Sequence, residues 1–132
     1  MHDISSAVRT HLLADSSVSS LVNAISLDWH DNSKRPYITI TPDVSAKDYL
    51  IMSINDLNID IWTTGPSQVE AHSIQKAVRK SLKNAKFTTS DSFFRLHIKA
   101  FGFLDEEGKG GIKNVRFNLT YSVRSWNNFL TT

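Results

Sequence analysis

Five histidines, His2, His11, His30, His72 and His97, are the chain's nitrogen ligands for a metal, and cysteine is absent. No two of them stand four apart on one predicted helix, so a metal site would need residues brought together by the fold. The simpler reading is surface or boundary histidines. Acid–base chemistry wants two carboxylates side by side. Asp56 and Asp60 share one face of a predicted strand with Asn58 between them. At a rise of about 3.3 Å per residue they stand well beyond contact distance. They read instead as solvent-facing or subunit-facing charges. Gly108-Lys109-Gly110-Gly111 superficially suggests a phosphate cradle. It lacks the four-residue gap and the Lys-Ser/Thr ending of a P-loop, and it lies in a hairpin rather than before a helix. No Gly-x-Ser-x-Gly element stands out, and there is no thiol to act as nucleophile. No enzyme activity, metal or cofactor is therefore expected.

Two other groups could bind rather than react. Lys76, Arg79, Lys80 and Lys83 fall on one side of a predicted helix. That pattern fits either a nucleic-acid face or the ordinary solvated side of an amphipathic helix, and the weak overall charge favours the second. Phe101 and Phe103 alternate in phase with Arg95, His97 and Lys99. They are either exposed for burial against a partner or turned into the core by a twist of the hairpin.

The elements that position these residues follow from periodicity. Ile4, Ala7, Val8, His11 and Leu12 predict a helix to Ala14, with Asp3 as its N-cap and Asp15-Ser16-Ser17 as its break. Val18, Leu21 and Val22 suggest a further helical turn. Ser26–Trp29 is a weak strand, Tyr37–Thr41 a strand ended by Pro42, and Asp43–Asp48 a polar loop. Leu50–Thr63 is a long strand with Leu57, Ile59 and Ile61 on one face and Asn58 and Asp60 on the other. Ser67 and Glu70 have capping-box spacing for a helix that runs to about Asn84. Its buried stripe is Ala71, Ile74, Val78, Leu82 and Ala85. Phe94–Leu104 and Ile112–Arg124 form an antiparallel hairpin joined by Asp105–Gly111. The order predicts an α+β domain: a mostly antiparallel sheet with helices packed on one face.

At 132 residues the chain predicts a single domain spanning 1–132. Its 15 basic and 13 acidic residues give a net charge of +2, too even for a dedicated nucleic-acid binder. The N-terminus, Met1-His2-Asp3-Ile4, shows no basic stretch followed by an apolar run, so no signal peptide is read. No run approaches 18 apolar residues, so no membrane-spanning helix is expected.

The stretch Leu57-Asn58-Ile59-Asp60-Ile61-Trp62-Thr63, followed by Val69-Glu70-Ala71, Ile74, Ala77-Val78 and Leu82, resembles the tail-completion or tail-terminator proteins of long-tailed bacteriophages. Leu21-Val22, Pro36-Tyr37 and Arg116-Phe117 match the same pattern, so the resemblance runs from about Ile4 to Arg124. It implies a structural virion protein at the head–tail junction, synthesised in the bacterial host cytoplasm, that caps the completed tail tube. It also implies a hexameric ring when assembled and a monomer when free, with the tail tube protein and a head connector or head-completion protein as partners. DNA would pass through the ring without specific binding. The resemblance carries no catalytic residue. The alternatives are a head-completion or connector stopper protein and a small nucleic-acid-binding domain.

Loop composition then suggests Asp43, Lys47 and Asp48, and Asp105, Glu106, Glu107 and Lys109, as partner-docking positions. Asp60, Arg95, Lys99 and Arg116, on strand faces opposite the core, are the expected subunit-interface charges. On that reading Asp60→Lys impairs ring formation with little loss of stability.

Overall fold

The structure, a computed structural model, describes residues 2–27, 36–42, 47–48, 52–64, 69–88, 92–107 and 113–127. Helix α1 (His2–Ala14) buries Ile4, Val8 and Leu12, one residue per turn. Asp3 lies inside this helix and not at its cap. The break falls at Asp15, whose carboxylate accepts from the Ser17 amide at 3.0 Å and so caps the short α2 (Ser16–Ser19). The turn expected around Val18 is thus present, and the residue that ends one helix begins the next.

The strands are β1 (Ala24–Leu27), β2 (Tyr37–Pro42), β3 (Lys47–Asp48) and β4 (Met52–Thr64). After helix α3 (Val69–Ser81) come β5 (Lys86–Thr88), β6 (Ser92–Glu107) and β7 (Lys113–Asn127). They form one sheet in the order β1-β2-β4-β7-β6-β5, with β3 paired to β4 off this path. β1 and β2 are parallel, and every other described pair is antiparallel. The α+β class therefore holds, with a mixed sheet.

Helix α3 stops three residues short of its expected end. The amides of Leu82, Lys83 and Ala85 still donate back to Val78, Lys80 and Leu82, and Asn84 takes a left-handed φ of 56°. Asparagine tolerates that conformation better than most residues, and it turns the chain into β5. The Ser67–Glu70 capping box lies outside the described residues, because Ser67 does.

One face of the sheet is apolar. Ile38, Ile40, Leu57, Ile59, Ile61, Phe117, Leu119 and Val123 pack with Ala71, Ile74, Val78 and Leu82 and with the α1 stripe. Full burial of each aliphatic side chain is worth about 1.5–3 kcal/mol, so this layer fixes the register of every long strand. Two polar contacts lock α1 in place. Arg9 Nε donates to the Ile25 carbonyl at 2.7 Å, and His11 Nε2 donates to the Ser81 carbonyl at 3.1 Å.

Candidate assembly surfaces

The second face of the sheet is polar, but much of it is buried. In the register Tyr37, Trp62 and Arg116 stand side by side, followed by Thr39, Asp60 and Asn118, and then Thr41, Asn58 and Thr120. The Tyr37 and Trp62 rings stack at 5.9 Å, and the Arg116 guanidinium lies 5.0 Å from the Trp62 centroid. Trp62 Nε1 donates to Thr39 Oγ1 at 3.0 Å. Arg116 grips Asp60 with two donors, Nε to Oδ1 at 3.0 Å and a terminal nitrogen to Oδ2 at 3.3 Å. Asn118 Nδ2 adds a third bond to Asp60 at 2.9 Å and also reaches Asn58 Oδ1 at 3.4 Å. The Thr120 hydroxyl sits 3.0 Å from Asn58 Oδ1 and 2.8 Å from Asn118 Oδ1, and its single proton serves one of them. The result is a polar zipper across β2, β4 and β7.

This arrangement corrects the reading of Asp60 as a surface charge. Asp60 is only 4% exposed, and its carboxylate is spent on Arg116 and Asn118 of its own chain. Asp56 is likewise paired in-chain, with Lys99 at 3.0 Å, although the Lys99 side chain remains 58% exposed. Of the expected interface charges, Arg95 stays exposed on the strand.

The docking positions are also placed differently from their expected loops. Lys47 and Asp48 form β3, opposite Ile54 and Ser53 of β4. Asp105, Glu106 and Glu107 continue the β6–β7 ladder, opposite Val115, Asn114 and Lys113. Backbone pairing extends the hairpin by three residues past Leu104, because β7 supplies partners that composition does not reveal. Asp43 and Lys109 lie outside the described residues.

Phe101 and Phe103 both turn to the core face, where Phe103 packs against the core and Phe101 stays exposed. The ladder slips between Ile98 and Ala100, leaving Lys99 as a β-bulge. A one-residue bulge reverses the in–out phase of everything beyond it. Phe103 therefore lies opposite Phe117, with their rings edge-to-face at 4.7 Å, and His72 meets Phe103 at 5.1 Å. Phe101 lies opposite Leu119, is 55% exposed, and carries the Arg79 guanidinium 4.3 Å above its ring.

Beside it a cleft of about 560 Å³ opens between α3 and the β6–β7 strands. Its floor includes Leu82, Leu96 and Tyr121, and its rim carries Lys76, Arg79, Lys80 and Lys83. Burial pushes the Tyr121 phenol up to about 12, against the pull of nearby Arg79. On the far side of α3 a second cleft, lined by His11, Asp15, Lys76 and Lys80 among others, separates it from α1 and α2. There the Ser81 hydroxyl, and then the Ser17 amide, hold the Asp15 carboxyl below its usual value. Among the described residues no group of three histidine or carboxylate side chains could hold a metal ion. Among them, too, no helix is long and apolar enough to cross a membrane.

The elements form a mixed-sheet α+β fold with helices on its apolar face. Residues 6–124 match the model of the family described as Tail completion protein gp17. The chain belongs to that family, whose members are structural proteins of phage tails. Among solved structures it is similar to a chain of the virion of a native gene transfer agent particle. That pair is 19% identical with a TM-score of 0.68, covering 93% of this chain and 94% of the other. It is also similar to the gp17 protein of bacteriophage SPP1, at 17% identity and a TM-score of 0.54, covering 88% of each chain. At these identities the two likenesses speak to the fold. No match was found among curated proteins.

Proposed function

We propose that this chain completes the tail by closing the finished tube as a ring, probing the head connector with its opposite side. The observation that carries the proposal is the family match across residues 6–124. The ring is hexameric on the tail and forms in solution at high concentration, and the free protein is a monomer at low concentration. Its contacts are the tail tube protein on one side and a head connector or head-completion protein on the other, with DNA passing through. It sits at the head–tail junction of the virion and is made in the host cytoplasm. No catalytic step enters this role. The segment carrying Asp43, Lys47 and Asp48 and the hairpin tip with Lys109 serve as docking positions toward tube and connector, and Arg95 and Lys99 lie toward the neighbouring subunit.

Electron microscopy of particles lacking this chain tests the role. Overlong tails support tube closure. Tails of normal length that never join heads would assign the chain to head completion instead, and normal joined particles would remove it from the junction altogether.

A further inference from the structure

The cleft between α3 and the β6–β7 strands combines two chemistries. Leu82 and Leu96 form a buried floor, and Ile98, 40% exposed, and Phe101, 55% exposed, leave apolar surface at its side. Lys76, Arg79, Lys80 and Lys83 surround it. Among the described residues no carboxylate lies within ion-pair distance of those four cations, while Lys99 and Arg116 on the other face each have one. Four like charges crowded around an apolar-floored hollow repel one another. An acidic segment seated there would relieve that repulsion.

The sequence contains one run of three consecutive acids, Asp105-Glu106-Glu107. It lies at the far end of β6, held in the ladder opposite Val115, Asn114 and Lys113. The same strand lines the cleft at Leu96–Ile98. At about 3.3 Å per residue, Glu106 stands roughly 25 Å along β6 from Ile98. The acidic end therefore cannot reach its own cleft, and strand pairing keeps it from folding back.

We propose that this cleft receives the Asp105–Glu106 end of β6 from a second copy of the chain. The contact is end-to-cleft, hence heterologous. Each copy offers one donor prong and one acceptor cleft, and repetition closes a ring or extends a filament. The inference rests on the ring reading above and assigns Asp105 and Glu106 to the neighbouring subunit rather than to tube or connector. The Arg79–Phe101 pair supplies residue types enriched at protein interfaces. The lysines at the rim steer the approach and make it sensitive to salt.

The test uses two charge-reversed full-length chains, Lys80→Glu/Lys83→Glu and Asp105→Lys/Glu106→Lys, with sedimentation velocity as readout. Lys80 and Lys83 are exposed, and an unchanged urea midpoint and circular dichroism spectrum establish that each variant is folded. Each variant alone should self-associate at least about tenfold more weakly than the parent, because like charges now meet. Mixed together they should assemble again, since each cleft then finds an end of opposite sign. Assembly of either variant alone at the parent's strength overturns the proposal, as does failure of the mixture to recover. DNA binding by the parent, lost in Lys80→Glu/Lys83→Glu while self-association is unchanged, would reassign the cleft to nucleic acid and also overturns it. A parent chain that forms no ring in solution or on tails sinks the ring reading itself, a result distinct from all of these.

Discussion

Replacing Asp60 measures what the polar zipper contributes. Its side chain is 6% exposed, against 29% for that of Arg116. The two carboxylate oxygens accept from two guanidinium nitrogens and from Asn118. In Asp60→Ala, Arg116 keeps its place near Trp62 and recovers hydration through its exposed portion. Hydrogen bonds to charged groups contribute about 1.5–3 kcal/mol each and do not sum within a network, so the loss should be about 2–3 kcal/mol. Arg116→Ala is the harsher change. It strands the more deeply buried charge with Asn118 as its remaining donor and strips the cation from Trp62. Breaking a buried pair in this way costs about 3–5 kcal/mol. Urea denaturation of parent, both single variants and the double variant gives the four values needed, with an expected coupling of about 2 kcal/mol. A loss of 3 kcal/mol corresponds to about 10 °C in melting temperature for a domain of this size. Asp60→Lys, which the sequence suggests as a clean interface probe, should instead destabilise the monomer, since it sets two cations together in a buried site. If Asp60→Ala stays within about 0.5 kcal/mol of the parent, or Arg116→Ala is the milder of the two, the burial argument is wrong.

Three further outcomes are expected. Between pH 10 and about 12 the unfolded chain ionises Tyr121 while the folded chain does not. Stability fully present below pH 10 should therefore fall by up to about 2–3 kcal/mol by pH 12; Tyr121→Phe should flatten that part of a pH-resolved urea series, and an unchanged slope would contradict it. A Cβ at Gly102 meets nothing within 4 Å. Gly102→Ala should therefore be neutral or raise stability by up to about 1 kcal/mol through the unfolded state, and a lowered melting temperature would show that this space is needed. Ile59, fully buried at the centre of the sheet, should lose about 2–5 kcal/mol on truncation to alanine in chemical denaturation; a loss below 1 kcal/mol would mean that the core collapses around the gap.

Much of the fold was legible because strand and helix periods differ. The Ile4-Val8-Leu12 and Ala71-Ile74-Val78 stripes and the Leu57-Ile59-Ile61 alternation correctly marked the covered face. The bulge was legible in principle. Apolar residues occupy even positions through Phe94, Leu96 and Ile98 and odd positions at Phe101 and Phe103, and a sheet with one apolar face accommodates that phase change only by an extra residue. The three-residue β5 and the two-residue β3 are too short to show a period, and their pairing comes from long neighbours distant in sequence. The parallel alignment of β1 with β2 is likewise set by packing over α1 and by no local pattern.

The zipper was missed for a different reason. A polar residue on the non-core phase of a strand looks the same whether it meets water or another side chain. Asn58, Asp60, Asn118 and Thr120 alternate as a solvated face would. The signal that distinguishes them is Tyr37 and Trp62, two aromatics in phase with these polar groups and side by side across the ladder. Large rings on a supposedly wet face bring burial with them, and a buried carboxylate beside them requires a partner such as Arg116. The consequence for assembly follows. Of the charges on this face, Asp56, Asp60, Lys99 and Arg116 are paired within the chain, whereas Arg95 and Arg124 stay exposed opposite each other, and the four cations of the α3 cleft have no carboxylate within ion-pair distance among the described residues. On the ring proposed above, the paired zipper charges leave little to attract a neighbouring copy, so specificity would rest on the cleft and on the exposed Arg95–Arg124 pair.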